Sequence, residues 1–396
     1  MTQPALADRL FSQRARAVRA IFPRQTSVVV PGLLNISSGT PDFDTPAHIV
    51  EAGAKALKDG QTRYTLWAGL PELRQAIADK FKRDNGLIVN PDTEVLVTTG
   101  TQEALFFIMQ TVLDPGDEMI TASPFYDEYR RDVMLAGGTM VTVPTRAENA
   151  FEIDPAEIEK RITPRTKGII VISPSNPTGA VQPRAVLEAI AHLAQKHNFL
   201  VISDELYEKF NYGPHAHFSL ATLPGMHERT ITINGFSKCY GMTGWRVGYL
   251  AAPENIIHMM LPIKHGMTIC APAVSQWAAL AALTGPHDWF DNIMEEYGRR
   301  RQLWMKSLTD LGFGFGEPRG AYYILFDVQS SGLTADEFAR RMREEYKVTL
   351  GSMSSIGPDG QYLIRGSLAT PTAELEEAMV RMKTAVTAFR NERGGA

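Results

Sequence analysis

The segment Ile231–Tyr249, ITINGFSKCYGMTGWRVGY, decides how the chain is read. Its opening ITIN alternates apolar and polar residues as a strand does, then breaks at Gly235 into the turn FSK and a glycine-rich run ending in TGWR. Lys238 therefore falls where a buried strand opens. Apolar flanks and a second cation, Arg246, disfavour the charged form of its ε-amine, and an amine kept partly neutral is a nucleophile toward carbonyls. Arg246 is at the same time a candidate for holding an anion. Gly235, Gly241, Gly244 and Gly248 supply the freedom a backbone needs to wrap closely around a ligand. Taken alone, such a pair also suits a solvated loop lysine and a surface arginine. Matching groups at other strand ends decide against that.

From Glu94 onward strands alternate with helices, the pattern of an α/β fold with a mainly parallel sheet. EVLVTTG runs into the helix TQEALFFIMQTVL, so Gly100, Thr101 and Gln102 lie at a junction that can cradle a phosphate at the positive helix end. DEMITA leads to SPFYDEY and Tyr126, which by its own pattern is an aromatic at the core edge. KGIIVIS ends at PSNPTG, where Asn176 projects from a proline-fixed turn; turn geometry alone also accounts for it. FLVISDELY sets Asp204 at the mouth of a buried strand, where a carboxylate either meets a cation or caps a helix, with Tyr207 three residues on. Strands ending near Gly100, Asn176, Asp204 and Lys238 thus deliver polar groups at their carboxyl ends, where open α/β sheets bind ligands.

A chain of 396 residues suits a large domain with a smaller companion. The expected division is an N-terminal arm and part of the small domain over 1–46, a large domain over 47–298, and a C-terminal α+β small domain over 299–396. Helices are expected from Pro46 to Asp59, from Pro71, from near Pro272 after a loop IKHGMTIC, and from Asp288 to Leu311. Arg365, in the strand QYLIRGSLA, lies among apolar neighbours and requires an anion, either an acidic residue of the chain or a ligand carboxylate. The Arg-rich N-terminus has the look of a transit peptide but reads better as an amphipathic helix, with Leu6, Leu10, Val18 and Ile21 to one side. The net charge of −4 gives no electrostatic basis for binding nucleic acid or an anionic membrane, and no apolar run reaches spanning length. The only cysteines, Cys239 and Cys270, agree with a reducing, cytoplasmic compartment. Cys239 reads as a small space-filling residue rather than a reactive thiol.

The pattern SKxxxMTGWRxGY around Lys238, with SSGTPDFDTP at Ser37–Pro46 and LIRGSLA at Leu363–Ala369, resembles the pyridoxal-phosphate aminotransferases of fold type I. The similarity to this class I/II, aspartate-aminotransferase-like family covers nearly the whole chain. It implies a large domain with a mainly parallel sheet flanked by helices plus a smaller α+β domain. It also implies that Lys238 holds pyridoxal 5′-phosphate through a Schiff base. Asp204 would then pair with the ring nitrogen, Tyr126 would stack on the ring, and Asn176 and Tyr207 would reach its oxygen. The phosphate falls to Gly100, Thr101, Gln102, Ser237, Arg246 and Tyr64 of the partner subunit, although Tyr64 alone reads as an amphipathic surface ring. Gly39, Asn176 and Arg365 would meet the substrate, Arg365 at its α-carboxylate, while a turn glycine also explains Gly39. The implied activity is ping-pong transfer of an amino group from an α-amino acid to a 2-oxo acid by a homodimer with shared active sites.

One alternative keeps the cofactor but ends in β- or γ-elimination, as in a lyase of the same fold. Another is a ligand-sensing regulator, against which stands the lack of a basic helix-turn-helix segment before Asn35. The chain departs from the family at Thr40, where glutamate is commoner, and along VTLGSMSSIGPDGQ at 348–361, which leaves one pocket wall open.

Overall fold

The computed structural model describes residues 12–21, 31–213 and 216–394. The first half of the chain forms α1 (Gln13–Ile21), β1 (Leu34–Asn35), α2 (Ala47–Lys58), α3 (Pro71–Lys80), β2 (Val95–Thr98), α4 (Thr101–Val112), β3 (Glu118–Ser123), α5 (Glu128–Ala136), β4 (Thr139–Pro144), α6 (Pro155–Glu159), β5 (Thr166–Ile172) and α7 (Arg184–His197). There follow β6 (Leu200–Asp204), β7 (Thr230–Gly235), β8 (Gly248–Ala251), α8 (Glu254–Thr268), α9 (Ala273–Thr284), α10 (Trp289–Asp310), β9 (Gly314–Phe315), β10 (Tyr323–Asp327), α11 (Ala335–Tyr346), β11 (Val348–Thr349), β12 (Gly351–Ser352), β13 (Leu363–Ser367) and α12 (Thr372–Gly394).

A seven-stranded sheet of order β2-β8-β7-β6-β5-β3-β4 forms the centre. Its strands are parallel except β8, which is antiparallel to both β2 and β7. The strand sequences explain why helices cover both faces. In β5, Ile169 and Val171 pack against Leu187, Ile190 and Leu193 of α7, whereas Ile170 joins Phe107 and Ile108 of α4 on the other side. Continuous apolar runs of this kind are what a sheet buried on both faces requires. A smaller antiparallel sheet, β12-β13-β10-β9, packs on α10, whose Trp304 is fully buried and donates its indole N–H to Ser367 O at 3.0 Å. β1 pairs in parallel with β11, so the chain after the N-terminal segment returns beside the C-terminal elements.

Most expected elements fall where the patterns put them, with two corrections. The segment Ile263–Thr268, read as loop, is the end of α8, which accommodates Pro262 in its interior because its apolar residues Ile257 and Met260 are buried in the cluster it shares with α4. The edge strand β4 carries too weak an alternation to stand out. Leu6 and Leu10 lie outside the described residues, while Val18 and Ile21 are the half-buried positions of α1, beside α5.

Two local arrangements hold the ligand-facing edge of the large sheet. Gly248 faces Thr98 of β2 on one side and Gly235 of β7 on the other, and a Cβ there would come within 2.9 Å of Gly100 C and Thr101 N. Behind β6, Lys80 of α3 pairs with the buried Glu208, and Asn85 Nδ2 donates to Glu208 Oε2 at 2.7 Å. His217 Nε2 lies 3.0 Å from Glu205 Oε2, which also receives Asn85, while Ser203 and Ser219 donate to Glu205 Oε1. Burial opposes charge on His217, but Glu205 and Glu208 outweigh it, together with opposing Lys80, and raise its pKa above the ordinary value.

Substituting Gly248→Ala is expected to cost about 1–3 kcal/mol, because backbone rather than a flexible side chain must move, and to lower Tm in a thermal scan. Since His217 has a raised pKa in the folded state, its contribution is full at pH values below its unfolded pKa and is lost as pH rises through the folded one. His217→Gln should therefore destabilise by about 1–2 kcal/mol at pH 6 and by less at pH 9, measured by denaturant unfolding.

Candidate active site

The carboxyl ends of β2, β5, β6 and β7 and the start of β8 surround a cavity of about 300 Å³. Lining it are Gly39, Thr101, Gln102, Tyr126, Asn176, Asp204, Tyr207, Ser237, Lys238, Arg246 and Arg365. All of these were expected from the sequence. Because β8 runs against its neighbours, the segment leading into it brings Arg246 to the same edge as the ends of the parallel strands. Arg246 adopts a left-handed backbone, φ 52°, and donates to Thr243 O at 3.2 Å. Gly100 stands just behind: a Cβ there would meet Arg246 Nη2 at 2.6 Å, and φ 76° suits only glycine without strain. Gly241, with φ 61°, leaves room for Phe43 O, which a Cβ would approach to 2.9 Å. Gly244, by contrast, has nothing near its Cβ direction, so no close wrapping depends on it.

Lys238 Nζ donates to Gly39 O at 2.7 Å, an acceptor it shares with Tyr322 OH at 2.8 Å. Burial is the main cause of its lowered pKa; Tyr323 opposes the shift, and Arg365 and Arg246 add to it. The expected effect of Arg246 is therefore present but secondary.

Asp204 is 4% exposed. Its Oδ2 accepts from Tyr129 OH at 2.7 Å and its Oδ1 from Leu206 N at 3.2 Å. The latter is a local turn contact and not a helix cap. Burial raises its pKa, opposed by those hydrogen bonds. The donors that reach this carboxylate are neutral, which leaves it suited to a cationic N–H from a ligand.

Arg365, in β13, donates through Nη1 to Asn176 Oδ1 and through Nη2 to Ser37 O, both at 3.1 Å. Its Nε is buried without a partner. These partners are neutral oxygens, so the internal salt bridge considered from the sequence is not what holds it. Gln102 Nε2 donates to Asp132 Oδ2 at 2.8 Å, and burial pushes the Asp132 carboxyl up to about 7. Tyr126 meets Tyr129 edge-on at 5.4 Å.

Tyr64 lies elsewhere: it is 79% exposed, beside a separate hollow formed by Thr62, Arg63 and Cys270–Val274. Burial pushes the Cys239 thiol up to about 12, in keeping with a space-filling role. In the divergent stretch 348–361, Gly351 of β12 pairs with the cavity-lining Arg365, whereas Ser355 Oγ donates to Asp127 Oδ2 at 2.6 Å, and Met353 and Ile356 are buried in the same apolar cluster as Phe125. Sequence reasoning missed Tyr129, Tyr322 and Tyr323. The adjacent tyrosines opening the strand YYILFDV were the signal for Tyr322 and Tyr323, while Tyr129 only closes the quoted SPFYDEY.

These features fit pyridoxal 5′-phosphate. The Lys238 amine, its charge disfavoured, would hold the aldehyde, the buried Asp204 carboxylate would meet a pyridinium nitrogen, and glycines at the amino end of α4 beside a guanidinium would leave room for a phosphate. Among the described residues no helix is long and apolar enough to cross a membrane.

The comparisons agree. Residues 31–382 match the family described as aminotransferase class I and II. The chain is 40% identical over 381 residues to aromatic-amino-acid aminotransferase 2 of Thermococcus litoralis, covering 96% of this chain and 97% of that protein. It is 41% identical over 381 residues to an aspartate aminotransferase of Pyrococcus abyssi, with the same coverage. The crystal structure of an aromatic aminotransferase from Pyrococcus horikoshii superimposes with a TM-score of 0.88 at 40% identity, covering 91% of this chain and 97% of that one. The chain therefore belongs to the aminotransferase class I and II family and is a pyridoxal 5′-phosphate-dependent aminotransferase.

Proposed function

We propose that this aminotransferase takes its amino group from aspartate-like or aromatic α-amino acids, the classes named in its relatives, and passes it to a 2-oxo acid in a ping-pong cycle. The observation that carries the assignment of roles is a single cavity pairing the Lys238 amine, its charge disfavoured, with the buried Asp204 carboxylate, whose hydrogen-bond donors among the described residues are neutral. When bound, the cofactor supplies an aldehyde carbon that takes up the amino group and a ring that withdraws electrons from the substrate α-carbon. Lys238 would hold the cofactor, and its Nζ would carry the substrate's α-proton, first as base and then as acid. Asp204 keeps the proton on the ring nitrogen, and Tyr126 covers the ring. Asn176 and Tyr207 reach the ring oxygen.

Gly100, Thr101, Gln102, Ser237 and Arg246 bind the phosphate at the start of α4. Tyr64 of the partner subunit completes that shell in a homodimer, and the exposure of Tyr64 in one chain supports this. Gly39 leaves room for the substrate, and the Arg365 fork grips its α-carboxylate. Because Arg365 comes from the smaller sheet, that grip draws the smaller sheet toward the larger. The pairing of β1 with β11 supports the division into an arm and partial small domain over 1–46, a large domain over 47–298 and a small domain over 299–396. The compartment is cytoplasmic, in keeping with free cysteines.

Borohydride reduction of the native holoprotein, followed by peptide mass spectrometry, should place a pyridoxyl group on Lys238; its absence there would refute the assignment. Incubation with amino donors and 2-oxoglutarate should yield glutamate, and ammonia with pyruvate but no transfer would count against transamination. Asp204→Asn retains the shape of the site but not the charge. It should bind cofactor yet lose about 10²–10⁴-fold in kcat/KM, and near-wild-type turnover would remove Asp204 from its role.

A further inference from the structure

Tyr323 was not expected at the site, yet it lines the cavity and is 1% exposed. It opens β10, paired with Ser367 of β13, which makes Arg365 its diagonal neighbour across the two strands. The Arg365 guanidinium lies over its ring, 4.7 Å from the centroid. Asn176 and Ser37 hold two edges of that guanidinium in plane, and the tyrosine face restrains it out of plane. At its other end the Tyr323 hydroxyl is 3.1 Å from the Tyr207 hydroxyl, and the two rings meet edge-on at 5.7 Å. A Cβ on Gly39 would come to 3.3 Å from the same hydroxyl, so the phenol is closed in on that side as well.

We propose that Tyr323 is a positioning residue for both ends of the cavity, its ring face aiming the Arg365 guanidinium and its hydroxyl directing the proton of Tyr207. The second half follows from hydrogen-bond counting. Two phenols in contact share one proton between them, and when Tyr323 donates, the proton of Tyr207 is free to point at another acceptor. A phenol that accepts one hydrogen bond also donates the next more strongly. The residue thereby links the group that binds a carboxylate to the group that reaches the cofactor's ring oxygen. The inference rests on the roles assigned above to Tyr207 and Arg365.

Two variants of the holoenzyme separate the two ends. Tyr323→Phe keeps the ring face and removes the hydroxyl. With a weaker Tyr207 donor, the ring oxygen holds more negative charge beside the lysine nitrogen, which then keeps its proton longer. The midpoint of the pH-dependent change in the cofactor's visible absorption should move upward by about half a unit or more. Affinity for 3-phenylpropionate, a carboxylate probe without an amine, should stay within about twofold. Tyr323→Leu removes the face as well and should weaken that probe roughly five- to tenfold. The inference falls if the phenylalanine variant titrates as wild type does, or if the leucine variant binds the probe as wild type does. Should the leucine chain not fold, an unmoved midpoint in the phenylalanine variant still overturns it. Wild-type protein lacking a reducible pyridoxyl link at Lys238 would bring down the functional reading along with this one, whereas the variants bring down this one alone.

Discussion

At the end of β6 the chain buries a carboxylate whose hydrogen-bond donors, among the described residues, are neutral. Asp204 is reached by a phenol and one backbone N–H, and burial raises its pKa. A charge in such surroundings is expensive unless a cation joins it. The surrounding architecture serves that condition. β6 lies inside a seven-stranded sheet with apolar residues on both faces, so its last residue emerges from the core with little water around it. On the far side of the same strand end, Glu205 is satisfied by Ser203, Ser219, Asn85 and His217. Adjacent carboxylates thus have opposite fates, one closed into a complete network and one left facing the cavity.

A second condition concerns how cations reach that cavity without repelling one another into solvent. Arg246 arrives on the segment just before the antiparallel strand β8, and Gly100, Gly235 and Gly248 keep the three strand ends close enough for its guanidinium to lie over the start of α4. Arg365 arrives on the smaller sheet and meets the oxygens of Asn176 and Ser37. Between them Lys238 has its pKa lowered, chiefly by burial, and rests on Gly39 O. Three basic residues share one small space, each held by oxygen acceptors, and burial disfavours the charge on the third.

Much of this was legible along the chain. The apolar runs before Gly100, Asn176, Asp204 and Lys238 are strands because both faces of the sheet are buried, and the break from apolar to polar residues marks the open edge. Less legible were features whose cause is distant. The helix over Ile263–Thr268 contains a proline nearby and a glycine, and only burial of Ile257 and Met260 in the cluster shared with α4 sustains it. Gly244 has the same local look as Gly100, but only Gly100 has a neighbour that a Cβ would strike. Tyr129 and Tyr323 are ordinary core aromatics by pattern, and what distinguishes them is the hydroxyl's partner, Asp204 in one case and Tyr207 in the other.

By itself the sequence determined the class of fold, the positions of the strand ends and the identity of the polar groups they carry, because hydrophobic periodicity and turn residues act over a few positions of chain. The tertiary structure alone decided which of those groups are satisfied internally and which are left for a ligand. That depends on burial and on partners more than a hundred residues away, such as Arg365 with Asn176, or Tyr323 with Tyr207. Side-chain chemistry is written locally, whereas desolvation and hydrogen-bond completion arise only when remote segments pack.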